Sequence, residues 1–229
     1  VFKIQANMNP KHRDSVAFVR ICSGRFERGM QVTHAQSGRT CRLQRPYKLF
    51  ANEREIIDEA RPGDVLGLPN AGDFFIGDTL CEGAPFQFAP IPRFHPEHFA
   101  LLRNLDPGKQ KQFIKGLRQL EMEGAVQVLY PADAFKREPV LAVLGALQFD
   151  VVQARLKNEY SVPTVLERQA LGTARWVTGS KDAILKMADR AEILLCLDSN
   201  QDYVALFTDP LYLKFAGEKY PELKFETMA

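Results

Sequence analysis

The chain has 229 residues, 45% hydrophobic and 25% charged, an ordinary globular composition large enough for one big domain or two modest ones. No run approaches the roughly 18 uninterrupted apolar residues of a membrane span, and the opening VFKIQANMNP has neither the basic flank nor the apolar block of a signal peptide. The formal net charge is +2 but uneven: residues 1–48 carry ten Lys and Arg against two Asp and Glu, and residues 49–93 carry three against eight.

In chain order, VFKIQAN reads as a β-strand with no initiator methionine before it, so a fragment or a processed chain is expected. Short alternating runs follow, SVAFVRI, MQVTHA, TCRLQ, DVLGLP and DFFIGDTL, punctuated by Ser-Gly at 23–24 and 37–38 and by Pro-Gly at 62–63. Only ANEREIIDEA hints at a helical period. Regular short strands with turns between them predict an all-β barrel or sandwich over residues 1–93. The segment APFQFAPIPRFHPE (84–97) carries four prolines, a density that neither a helix nor a strand interior tolerates, and is read as the linker.

Beyond it the pattern changes to α+β over residues 94–229. DPGKQKQFIKGLRQLEMEG offers Asp106 as N-cap, Pro107 at the first helical position and Gly124 as terminator, with Phe113, Leu117 and Leu120 on one face. With FALLRN as the first strand, the order is βαββαβ to about residue 168. TARWVT, a helix capped by Ser180, EILLCLD, DYVALF, a helix begun by Asp209-Pro210, and LKFET repeat it over 169–229. Two split-βαβ, ferredoxin-like units are expected; periodicity alone leaves open whether they share one sheet.

The early basic cluster, KHR (11–13) and GRTCRLQRPYK (38–48), fits either a solvated β-surface or a phosphate-contacting face, since clustered cations release counterions when they neutralise a nucleic-acid backbone. Lys111, Lys115 and Arg118, at i, i+4 and i+7, align along one side of their helix and admit the same two readings. No phosphate-binding loop, nucleophile elbow or zinc-protease motif is present, and DVLG (64–67) is a chance match to a GTPase switch pattern. HPEH groups His95, Glu97 and His98, but Pro96 and a linker setting argue against a metal site. Cys22, Cys41, Cys81 and Cys196 form no C-x-x-C pair and are read as reduced packing thiols, and Trp176 is read as core. In GALQFDVVQARLKNEY (145–160), Phe149, Val152, Leu156 and Tyr160 share a helix face and Asp150 occupies the favourable first turn. Gly145 is read as permitting a close strand approach, with Gln148 and Arg155 exposed at a candidate interface corner.

Several of these stretches carry a family resemblance. ARPGDVLGL and IGDTL (60–80) resemble the second, β-barrel domain of translational GTPases. FKIQANMNPKHRDSVAFVRICSGRFERGM (2–30), KQKQFIKGLRQLEMEGAVQVLYP (109–131), GALQFDVVQARLKNEY and ARWV (174–177) are similar, more narrowly, to the bacterial class-two peptide-chain release factors of the release-factor-three type. The resemblance implies the binding half of a GTPase that acts on the ribosome during termination and promotes departure of class-one release factors. It implies that GTP or GDP and Mg belong to a GTPase domain missing here, so that this chain has no cofactor, no metal and no catalysis of its own. Expected partners are small-subunit ribosomal RNA and ribosomal protein, the parent's GTPase domain and, indirectly, class-one factors, for a cytoplasmic monomer that touches no membrane. Lys11, His12, Arg13, Arg39, Arg42, Arg45, Lys111, Lys115 and Arg118 are the candidate ribosome or RNA contacts. A stand-alone RNA-binding protein is the alternative, which an upstream reading frame with a phosphate loop would end.

Overall fold

The computed structural model describes residues 1–6, 15–50, 53–89, 91, 95–133 and 138–227. The chain divides into two compact units, Val1–Pro92 with Met122–Gly124 and Arg93–Glu121 with Ala125–Ala229.

The first unit contains β1 (Lys3–Ala6), β2 (Ser15–Arg20), β3 (Phe26–Glu27), β4 (Gln31–His34), β5 (Arg39–Arg42), β6 (Tyr47–Phe50), β7 (Glu53–Ile56), β8 (Glu59–Ala60), β9 (Val65–Asn70) and β10 (Leu80–Cys81). They form three antiparallel sheets, ordered β1-β2-β9-β6-β7, β10-β4-β5 and β3-β8. All three contribute to one core, with Ile4, Ala17, Val19, Phe26, Val32, Ala60, Leu66 and Leu68 buried together, and this shared interior makes the barrel. Gly67 lies opposite Tyr47 in the β6–β9 pair, and a Cβ there would stand 2.6 Å from the tyrosine ring, so glycine is what admits the ring. ANEREIIDEA, despite its helical hint, supplies β7 and β8; β7 pairs with β6 from Tyr47↔Ile56 to Phe50↔Glu53, and ladder pairing overrides a weak local propensity.

The second unit follows β11 (His98–Asn104), α1 (Gln110–Met122), β12 (Gln127–Pro131), β13 (Val140–Val143), α2 (Leu147–Tyr160) and β14 (Thr164–Arg168). The same order recurs in β15 (Thr173–Thr178), α3 (Lys181–Ala188), β16 (Ile193–Leu197), β17 (Tyr203–Phe207), α4 (Pro210–Lys219) and β18 (Lys224–Glu226). Caps set the helix starts. Asp106 accepts the Gly108 N–H ahead of a 3-10 turn (Pro107–Lys109) that runs into α1, Ser180 accepts the Ala183 N–H, and Asp209 accepts the Leu211 N–H. Gly124, at φ 73°, takes the left-handed conformation that ends α1. Phe113, Leu117 and Leu120 are buried on α1, each contributing about 1.5–3 kcal/mol by leaving water.

The two halves merge into one eight-stranded sheet, β14-β11-β13-β12-β16-β17-β15-β18, joined where β12 meets β16 at Tyr130↔Leu197 and Pro131↔Cys196. Alternation along the strands sends Ala100, Leu102, Val128 and Leu141 toward α1 and α2, and Ile193, Leu195, Ala205 and Phe207 toward α3 and α4. The other face has no helix, yet Phe99, Leu129, Ala142, Cys196, Val204 and Leu206 on it are buried together. Chain length explains their cover. β14 and β15 stand six strand spacings apart in the sheet order, about 29 Å if it were flat, whereas the five steps from Arg168 to Thr173 reach at most about 18 Å. The sheet therefore curls back on itself, its helix-free faces meeting inside and its two helix pairs outside.

Candidate functional site

Folding spends much of the early positive charge locally. Arg25 pairs with Glu59 and lies 3.6 Å from Glu27, Arg28 Nε is 3.1 Å from Asp58, and Lys48 Nζ is 3.6 Å from Asp64. The acidic stretch 49–93 thus neutralises part of the basic stretch 1–48. Arg39, Arg42 and Arg45 are all exposed, and none has an ion pair with another described residue. Arg42 instead donates from Nε to the Gly29 carbonyl at 2.8 Å. Lys11, His12 and Arg13 lie outside the described residues.

On α1, Lys111, Lys115 and Arg118 are exposed beside half-exposed Ile114, and none is paired with a described carboxylate. The opposite side of the helix approaches α2 closely enough that a Cβ on Gly116 would lie 2.7 Å from Leu156 Cδ2.

The 145–160 corner differs from expectation in its details. Gln148 is half-buried rather than exposed: its Oε1 accepts the Leu144 and Gly145 N–H groups, each at 2.9 Å, and so ties the turn that leads from β13 into α2. Arg155 is also half-buried, its Nε 2.6 Å from Glu159 Oε1. The exposed large hydrophobic residues of this helix are Leu147 at 78% and Val151 at 54%. Gly145 faces open space, with no atom within 4 Å of where a Cβ would stand, so close strand approach does not explain it. Cys22 is exposed and does not pack, while Cys81 and Cys196 are buried. Trp176 is core, its indole N–H donating to Asp198 Oδ2 at 3.0 Å. His98 begins β11 opposite Val143, and no three His, Cys, Asp or Glu among the described residues gather as metal ligands.

An arrangement absent from the sequence reading surrounds β5. An open cleft of about 690 Å³ lies between this edge strand and the 69–75 segment, with Arg39, Arg42, Arg45, Asp73 and Phe75 in its walls and buried Leu43, Leu68 and Phe74 beneath. Burial, and then the nearby Asp73 carboxylate, push the Cys41 thiol in this cleft above its ordinary value. Behind it, buried His34 places Nε2 2.7 Å from Asp78 Oδ2 and Nδ1 2.6 Å from Ser37 Oγ. The Ser37 N–H also donates to Nδ1 at 3.3 Å, which puts the ring proton on Nε2 and ties the β4–β5 turn to the loop around Asp78. A second cleft of about 450 Å³ is walled mainly by apolar side chains, Phe2, Phe26, Leu66, Phe86 and Phe88 among them, and lacks such a concentration of free cations.

Two family profiles match the chain in order: Elongation factor G domain 2 over residues 1–83, and Class II release factor RF3, C-terminal domain, over residues 88–216. The chain belongs to the class II release factor family. It is 50% identical over its whole length to a protein named peptide chain release factor 3 from Trichormus variabilis, covering 42% of that protein. It is likewise 50% identical to one from Gloeobacter violaceus and 51% identical to one from Microcystis aeruginosa, covering 43% and 42% of them. The chain thus spans less than half the length of these relatives. A crystal structure of a Thermus thermophilus protein shares the fold at a TM-score of 0.60 and 22% identity, over 78% of this chain and 28% of that one. The described helices include none long and apolar enough to cross a membrane.

Proposed function

We propose that the chain is the ribosome-binding part of a GTP-dependent peptide-chain release factor that promotes departure of class-one release factors in bacterial translation termination. The observation that carries this reading is the full-length similarity, about 50% identity, to proteins named peptide chain release factor 3. In this reading a GTPase domain elsewhere in a longer parent binds GTP or GDP with Mg and hydrolyses it, and the chain itself catalyses nothing. Residues 1–93 act as the barrel and 94–229 as the C-terminal domain of a cytoplasmic monomer. Arg39, Arg42 and Arg45, with Lys11, His12 and Arg13, face small-subunit RNA; Lys111, Lys115 and Arg118 face RNA or ribosomal protein. Support comes from the cations on β5 and α1 that no described carboxylate neutralises, since free Lys and Arg are what a phosphate backbone rewards. Nucleotide state reorients the pair of domains, and contacts that favour one orientation bias the ribosome by differential affinity.

The test uses the full parent protein and post-termination ribosomes carrying a fluorescent class-one factor. Joint replacement Arg39→Glu, Arg45→Glu and Lys115→Glu should slow GTP-dependent departure of that factor by on the order of tenfold, with GTP binding unchanged. An unchanged rate removes these residues from the contact surface, and a parent that releases no class-one factor overturns the function.

A further inference from the structure

The cleft beside β5 contains a feature that phosphate contacts alone do not use, an exposed aromatic ring on a loop fixed from within. Phe75 is 48% exposed, yet its N–H donates to Asp78 Oδ2 at 2.6 Å. Just before it, Asn70 Oδ1 accepts the N–H groups of Gly72, Asp73 and Phe74 at 3.0, 3.0 and 3.1 Å, and Asn70 Nδ2 donates to the Phe74 carbonyl at 3.0 Å. Two buried polar side chains, Asn70 and Asp78, therefore hold the loop that displays the ring. Preorganisation of this kind lowers the ordering cost of binding.

We propose that this cleft receives one unpaired nucleotide of RNA, with its base stacked on Phe75 and phosphates of its strand on Arg39 and Arg45. The proposal rests on the ribosome-binding reading above and gives its barrel surface a binding mode. Cross-strand pairing sets His34 opposite Arg39 and Val32 opposite Cys41, so Arg39 and Cys41 share the face of β5 that turns toward the barrel interior. Leu43 continues that face, donating to the Met30 carbonyl at 3.1 Å and accepting the Gly29 N–H at 2.7 Å. A cation thus stands at one end of an apolar floor, and Arg45 follows two residues beyond Leu43. Asp73 lines the same cleft, between β5 and Phe75's loop. Its carboxylate accepts hydrogen bonds and repels phosphate, so the cleft separates into cationic ends for the backbone and an acceptor for a donating base edge. A base already stacked in a duplex offers no free face to Phe75, which restricts the site to unpaired residues. An acidic peptide would meet the same arginines, but it would oppose Asp73 with like charge and leave the ring unused.

The test measures anisotropy of a labelled single-stranded RNA decamer, and of the same decamer in an RNA duplex, with the full chain at constant salt. Phe75→Ala should weaken single-strand binding about tenfold and leave duplex binding unchanged, Phe75→Trp should retain single-strand binding, and Arg39→Glu should weaken both. Unchanged duplex binding also reports an intact fold in the alanine variant. If Phe75→Ala leaves single-strand affinity intact while Arg39→Glu lowers it, the stacking site is overturned and the ribosome-binding reading stands on its phosphate contacts. If the unmodified chain binds neither RNA nor small ribosomal subunits, both fall. Displacement of the single strand by an equimolar polyglutamate peptide would make the cleft a peptide site and overturn the proposal.

Discussion

At Asp198 a single carboxylate closes a turn and holds an indole across the sheet. Oδ1 accepts the Asn200 and Asp202 N–H groups, both at 2.9 Å, and Oδ2 accepts the Trp176 indole N–H. The turn it closes places Gln201 at φ 70°, a left-handed conformation that needs such support. Asp198→Ala should destabilise the chain by about 1–3 kcal/mol, because three donors in a nearly buried setting lose their acceptor. Asp198→Asn, which keeps an oxygen for the turn and loses only the indole bond, should cost less; urea unfolding of both variants checks the order. Composition around Trp176 was enough to read it as core. Its partner, 22 residues away, was not legible, because a hydrogen bond across strands leaves no local pattern. Gln148 shows the same limit in reverse: helical geometry points it outward, but the side chain bends back to hold the turn that precedes its own helix.

Between elements, the closest constraint is the contact of α1 with α2 at Gly116. A methyl group there would meet Leu156 Cδ2 at 2.7 Å and the Tyr160 ring at 3.1 Å. Overpacking of about 1–3 kcal/mol should exceed the gain of up to about 1 kcal/mol that alanine brings to a helix interior. Gly217, on the exposed side of α4 with nothing within 4 Å, carries only the second effect. Gly116→Ala should therefore lower the thermal midpoint and Gly217→Ala raise it; equal shifts of the same sign would refute the packing argument. Helix starts at Asp106, Ser180 and Asp209 and the twofold βαββαβ order were legible because caps and alternation are local signals. The single curled sheet was not, since pairing of β12 with β16 joins segments more than 60 residues apart. The strand in ANEREIIDEA was obscured for the same reason, its register being set by β6 rather than by its own sequence.

For the molecule as a whole, charge is where sequence and fold diverge most usefully. The excess over residues 1–48 suggested a broad basic face, but Arg25, Arg28 and Lys48 lie against Glu59, Asp58 and Asp64. Among the described residues of that stretch, the arginines around β5, with Lys3 and Arg20, are left without a carboxylate partner, a set a linear count could not separate from the neutralised one. Binding through such unpaired cations releases counterions, so it must weaken steeply with salt, by a slope near one per phosphate contact on logarithmic axes. Equilibrium association of the purified chain with small ribosomal subunits across a potassium chloride series tests this most directly. Affinity should fall with salt, and the slope should become shallower when Arg39 and Arg45 are replaced by glutamate; salt-independent association, or none at the lowest salt, would contradict binding through these cations.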